Sequence, residues 1–315
     1  MKGKIGKLLL LPMLGLLTLA ISCNKSTNPT PIVVKGCMDP QSLNYNPNAT
    51  VDDKSCYYTN TSQQTSNAII ELYTGVRSKY GPAAQTIAQN IQNNNPQYVI
   101  IVTIHTGTSA IPKTGWPDYT STYGTALADS AGMDQPVSSY PGGSVNRYHF
   151  ADVPVVVPNK IGSGEAFTAL YKEGFLQAAN YWMVKFSPVN IGLASYWTAT
   201  TRTLKVLVEY YYTTAETYPN YLNVALLENG LVGKQISLID TLPNYIQDNV
   251  LRTFLTGQWG DLITTTVGTR LQKTYLYTVP ANINIDNCFV AAYINRDING
   301  KRVYILSGKQ IKAKH

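Results

Sequence analysis

The chain is poor in the residues that most enzymes use. It has 3 His and 4 Cys in 315 residues, which leaves little material for a metal centre or a thiol nucleophile. Charged residues make up 14%, against roughly 25% in an average globular chain. Basic residues exceed acidic ones by 7, but Lys2, Lys4 and Lys7 crowd the extreme N-terminus, and the rest are scattered. That pattern excludes a nucleic-acid footprint. Phe is scarce, at 6, whereas Tyr reaches 23. This bias points to β-rich structure with half-wet faces. The hydrophobic share of 44% is enough to build a core. A prior of roughly 150 residues per domain suggests about two domains.

There is one long apolar run, Leu8 to Ile21, after a basic start. It is short for a membrane span and suits a leader peptide at 1–22. Ser22-Cys23 closes it and resembles a bacterial lipobox, which implies S-diacylation, cleavage and N-acylation at Cys23. The alternative is an ordinary secretory leader with Cys23 free. Three acyl chains would hold the protein firmly on the outer membrane. Residues 23–35 are polar, with two prolines, and read as a tether. No acid follows Cys23 before Asp39, which favours the periplasmic face over the cell surface.

Residues 36–57 hold little apolar material, so a core cannot form there. In an oxidising compartment Cys37 and Cys56 are expected to pair, which stabilises a loop of that length by about 3 kcal/mol. Asp39, Asn44, Asn46, Asp52 and Asp53 supply oxygen donors at short spacing, as a calcium site would need. The competing reading is that Asn, Asp and Pro simply build turns. The pattern Gly-Cys-x-Asp-Pro, then Asn-Tyr-Asn-Pro, then Asp-Asp-x-Ser-Cys resembles a short motif of secreted Bacteroidota proteins.

Residues 67–74 read as a strand, Pro82 opens a helix, and 98–104 form a continuous apolar run typical of a buried parallel strand. This is a β-α-β unit. A helix is expected over 118–133, and another over 162–183 with Phe167, Leu170, Tyr171, Phe175 and Ala178 as its apolar stripe. The blocks IIELYTGVRSKYGPAA, VIIVTIHTGTSAIP, YPGGSVNR, LNVALLENG and QDNVLRTFLTGQWGD, in that order, resemble the Bacteroidota outer membrane protein family named for a mass near twenty-eight kilodaltons. The resemblance covers about 67–313 and implies a thioredoxin-like domain. In that family the first block ends Thr-Gly-x-x-Cys-x-x-Cys-Pro. Matching Thr74, Gly75 and Pro82 places Ser78 and Gly81 at the cysteine positions, so the thiolate chemistry of disulfide exchange is lost. The resemblance also implies a cis peptide between Tyr140 and Pro141, facing the Ser78–Pro82 segment across a groove. His105 and His149 show no triad pattern.

From about residue 185 short strands recur with Gly, Asn and Pro between them, which suggests an antiparallel sandwich. Asn299-Gly300 is a hairpin signal. Tyr210, Tyr211 and Tyr212 alternate as on a strand with one buried and one wet side. Trp182, Trp197 and Trp259 suit core positions, and Cys288 a buried, inert thiol.

The expected class is α+β and multidomain. A disulfide module (36–57) precedes a thioredoxin-like domain (61–184) and a β-sandwich (185–315). The expected role is non-enzymatic: a lipid-anchored protein that binds a protein partner in the outer membrane. The alternative is a surface protein that binds glycans or host ligands.

Overall fold

A computed structural model of the chain describes residues 32–129, 137, 140–148 and 172–315. The leader, Cys23, most of the tether, His149 and the first half of the expected 162–183 helix lie outside the described residues.

The disulfide module holds two short parallel strands, β1 (Lys35–Gly36) and β2 (Val51–Asp52), and the Cys37–Cys56 bond is formed. Next come β3 (Ala68–Thr74), α1 (Gly81–Asn94) and β4 (Val99–His105). Both strands are apolar and β-branched along most of their length and are buried throughout. That is the pattern of a sheet covered on two faces. Pro82 sits in the first turn of α1, where a missing N–H costs nothing. A short helix, α2 (Gly124–Ala128), and β5 (Gly142–Val145) follow. β5 runs antiparallel to β3, after a cis Tyr140–Pro141 peptide. α3 (Lys172–Met183) then returns to pack Phe175, Ala178 and Ala179 with α1 on one face of β3, β4 and β5. Of the helix expected over 118–133, residues 118–129 are described, and within them only α2 is helical; 130–133 lie outside the described residues. Asp118 instead folds back, its carboxylate accepting the Thr120 N–H at 2.8 Å, and the chain stays irregular up to Tyr123.

The remaining strands are β6 (Val189–Thr198), β7 (Thr203–Tyr212), β8 (Asn220–Glu228), β9 (Leu231–Ile236), β10 (Thr241–Gln247), β11 (Val250–Phe254), β12 (Asp261–Ile263), β13 (Arg270–Thr278), β14 (Cys288–Ile298) and β15 (Lys301–Lys312). Asn299 and Gly300, with φ of 56° and 81°, make the tight turn between β14 and β15. β9 and β10 form a separate hairpin with no counterpart in the sequence reading.

The boundary expected at 184/185 does not separate two sheets. An eight-stranded sheet runs β15-β14-β8-β11-β4-β3-β5, with β12 also on β8. The join is β11 beside β4, where Val250 pairs with Thr103 and the Thr103 N–H donates to Asn249 O at 2.8 Å. The sheet curls until β15 returns to the opposite end. Ile305 and Asn146 exchange hydrogen bonds of 2.9 and 2.7 Å, and the Ser66 hydroxyl donates to Leu306 O at 2.6 Å. Ile69, Val102, Leu227, Leu251, Ala291, Tyr293 and Ile305 fill the hollow. The expected sandwich exists on the outer side, where the sheet β13-β7-β6 packs Val206, Val208 and Tyr212 against Val224, Val290 and Ile294.

The disulfide module is docked on that outer sheet. Gln41 and Ser195 exchange hydrogen bonds at 2.8 and 3.0 Å. Glu209 accepts from the backbone of Tyr58 and Thr59 and from the Thr59 hydroxyl. A Cβ on Gly192 would stand 2.2 Å from Tyr58 O, so only glycine admits this approach.

Candidate functional site

Because β3 and β4 are parallel and in register, Thr74 and His105 end side by side. Ligand sites of open α/β sheets lie beyond such strand ends. The Gly75–Tyr80 turn then brings Ser78 next to Thr74. A Cβ built on Gly81 would lie 2.9 Å from Thr74 Oγ1 and 3.4 Å from Ser78 Cβ. The Thr106–Ala110 loop supports both sides of the expected groove. The Arg77 N–H donates to Ser109 O at 2.8 Å, and the Tyr140 ring lies against Gly107. Arg77, next to Ser78, and Tyr140, next to Pro141, therefore both meet this loop, while Gly81 faces Thr74 and Ser78.

The β9–β10 hairpin covers the Gly75–Ser78 side of this region, and Gln235 is the anchor. Its side-chain amide donates to Ser78 O at 2.9 Å and to Gly75 O at 3.3 Å, and the Ile236 N–H donates to Val76 O at 2.9 Å. Gln247 donates to Gln235 Oε1 at 2.8 Å, and Gln85 of α1 donates to Ile246 O at 3.1 Å. A Cβ on Gly233 would stand 2.4 Å from both Pro117 and Tyr119.

Around this turn and the strand ends lie buried polar atoms with no hydrogen-bond partner among the described residues: Thr74 Oγ1, Ser78 Oγ, Ser109 Oγ, Tyr119 OH and Ser121 Oγ. His105 is 2% exposed, and its ring meets Tyr119 edge-on at 5.4 Å. Burial lowers its pKa to about 4, against the opposing pull of Gln247 and Asp118. His105 is thus neutral at ordinary pH. Among the described residues no hydrogen bond joins it to Ser78. Burial also raises the Tyr119 hydroxyl.

The expected calcium donors are each engaged in local hydrogen bonds. Burial would raise the Asp39 carboxyl, but hydrogen bonds from Tyr196, Tyr58 and the Gln41 N–H hold it below its usual range. Asn44 accepts from the Tyr57 N–H and donates to Ser55 O. Asn46, Asp52 and Asp53 each accept a backbone N–H two residues on, which is turn chemistry. No group of three or more His, Cys, Asp or Glu among the described residues is placed to hold a metal.

The sequence profile described as outer membrane protein Omp28 matches residues 141–313, which is more than half of the chain. The chain belongs to the Omp28 family of outer membrane proteins. This Omp28-family chain shares its fold with a solved structure, HBP35 of Porphyromonas gingivalis, at 14% identity and a TM-score of 0.59, over 79% of this chain and 76% of that one. An Agrobacterium tumefaciens protein gives 10% identity and 0.49, over 80% and 96%. A domain of the outer membrane lipoprotein Omp28 from Porphyromonas gingivalis gives 18% and 0.28, over 40% and 88%. No curated protein matches the chain. No helix among the described residues is long and apolar enough to cross a membrane.

Sequence reasoning missed Gln235 and Gln247, which fix the hairpin on the Gly75–Ser78 turn, and Glu71 and Arg147, which pair inside the curled sheet. For the second pair a signal existed: an acid inside an otherwise apolar buried strand requires a partner. Burial drives the Cys288 thiol up to about 12, in keeping with an inert residue.

Proposed function

We propose that this Omp28-family protein is a lipid-anchored envelope component that acts by binding a protein partner, on a thioredoxin-like scaffold without redox or hydrolytic chemistry. The observation that carries the reading is the β9–β10 hairpin. Its inner side is bonded to the Gly75–Ser78 turn. Its tip presents Leu238 and Ile239 to solvent, at 60% and 97% exposure. The tip is held rigidly, because the Ser237 hydroxyl accepts from the Ile239 and Asp240 N–H groups and donates to Asp240 O. Two large apolar side chains on a fixed turn make a small anchor for a partner pocket. The strand order β4-β3-β5, with β5 antiparallel after a cis-proline, supports the thioredoxin-like scaffold. Ser22-Cys23 supports acylation at Cys23. The basic and polar residues that follow support a body on the periplasmic face.

The test is a mild-detergent pull-down of the lipidated chain from its own envelope, with mass spectrometry of stoichiometric partners. We expect an outer membrane protein to co-purify, and Ile239→Asp to reduce its recovery at least tenfold while leaving the melting temperature unchanged. A solitary protein, a partner indifferent to Ile239→Asp, or reduction of insulin disulfides by the full chain would overturn the reading.

A further inference from the structure

A second concave site lies near the start of β4, at the other end of the strand from His105. It is a cleft of about 420 Å³ between the 60–67 segment, the loop joining α1 to β4, and β15. That size is within the usual range for small-ligand sites. We propose that this cleft binds an uncharged saccharide. The inference does not depend on the hairpin or on the partner reading above.

Three observations carry it. First, the walls are fixed. Asn190 is 5% exposed, and its amide donates to Asn60 O and Ser62 O, each at 2.8 Å, which pins the 60–64 segment. The Asn67 amide donates to Gln97 O at 2.9 Å, which pins the α1–β4 loop. Second, the lining is rich in carboxamides and contains no carboxylate; its one charged residue is Lys309. The side chains of Asn60, Gln97 and Gln310 line the cleft with no hydrogen-bond partner among the described residues. Each carboxamide offers a donor and an acceptor side by side, which matches neighbouring hydroxyls on a sugar ring. Third, Tyr98 is 46% exposed beside Pro96, and both line the cleft. They give an apolar wall for the C–H face of a pyranose, with a phenol at its edge.

An extended peptide fits less well. It would have to pair with the outer edge of β15, and that edge is closed at both ends. The Ser66 hydroxyl caps Leu306 O, and the Ser195 hydroxyl caps Lys312 O at 2.9 Å. Only Ser307 to Ile311 remain between them, a short stretch for strand addition.

The test uses the full mature chain and four neutral hexasaccharides: maltohexaose, cellohexaose, xylohexaose and chitohexaose. Titration calorimetry and saturation-transfer NMR read the binding. We expect at least one to bind with a Kd below about 1 mM. Gln97→Ala combined with Gln310→Ala should weaken it at least tenfold with no change in melting temperature. Tyr98→Ala should weaken it as well and remove the saturation transfer to ring protons of the sugar. Failure of all four sugars to bind, or equal binding by the double variant, would overturn the proposal. So would an extended peptide that binds in this cleft while the sugars do not.

Discussion

Strand β3 carries two buried polar groups of opposite character. Glu71, in its middle, is completely satisfied. Arg147 grips it from two nitrogens at 2.6 and 2.9 Å, and Ser144 and Tyr73 donate to it at 3.3 Å. The guanidinium also lies over Tyr293 and Trp259. Burial alone would disfavour the charged Arg147, but Glu71 more than offsets this and raises its pKa. Thr74, three residues on, has no partner for its hydroxyl among the described residues, and neither does Ser78 beside it; His105, paired with Thr74 across the sheet, has Gln247 to lean on. The first group ties β3 and β5 to β14 inside the curled sheet. The second occupies the strand ends where the family resemblance places a reactive pair, and it contributes no such tie. Unmet buried polar atoms cost about 1–3 kcal/mol each. The second group is therefore not explained by stability.

The sharpest way to break this comparison is Arg147→Met. It leaves Glu71 buried without its cation and is expected to cost about 3–5 kcal/mol in denaturant unfolding. The double variant Glu71→Gln with Arg147→Met should recover most of that loss. A single-variant cost under about 1 kcal/mol would remove Arg147 as the structural partner of the strand.

Next in size is the pH response of His105. Its folded pKa of about 4 lies below the ordinary imidazole value of 6.5. Between those values the unfolded chain binds a proton that the folded chain refuses. The stabilising contribution is therefore complete above pH 6.5 and is lost as pH falls towards 4, by roughly 3 kcal/mol. Melting curves at pH 7 and pH 5 should show a smaller drop for His105→Gln than for the wild type. Equal drops would mean that His105 is accessible to solvent.

The smallest effect is expected from Ser78→Ala. Removing a hydroxyl that has no partner should leave stability unchanged or raise it by up to about 1 kcal/mol. A loss of more than about 1 kcal/mol would show that Ser78 is bonded in solution, which would draw the two groups together.

Much of the local structure was legible before the structure was known. The apolar, β-branched runs of β3 and β4 and the three-and-four spacing of Ala84, Ala88 and Ile91 in α1 reflect burial that is periodic along the chain. Cys37 and Cys56 pair as an oxidising compartment dictates, and Asn299-Gly300 turns as its backbone preferences dictate. Tyr210 and Tyr212 are buried while Tyr211 is half-exposed and lies near Arg270, as alternation requires. The β9–β10 hairpin was not legible. Only Gln235 and Gln247 of its residues are fully buried, so it shows no apolar stripe. Pro243 also interrupts it, where the pairing register shifts between Leu242 and Tyr245.

The sequence by itself determined the local elements and the disulfide, because each depends on residues near one another in the chain. Only the tertiary structure decided that one sheet joins the two expected domains, that a distant hairpin covers the Gly75–Ser78 turn, and that the module docks against β6 and β7. Each of those rests on contacts such as Thr103 with Val250, Ser78 with Gln235, and Gln41 with Ser195. Their partners are polar or ordinary strand residues, and chain closure over such distances leaves no periodic mark in the sequence.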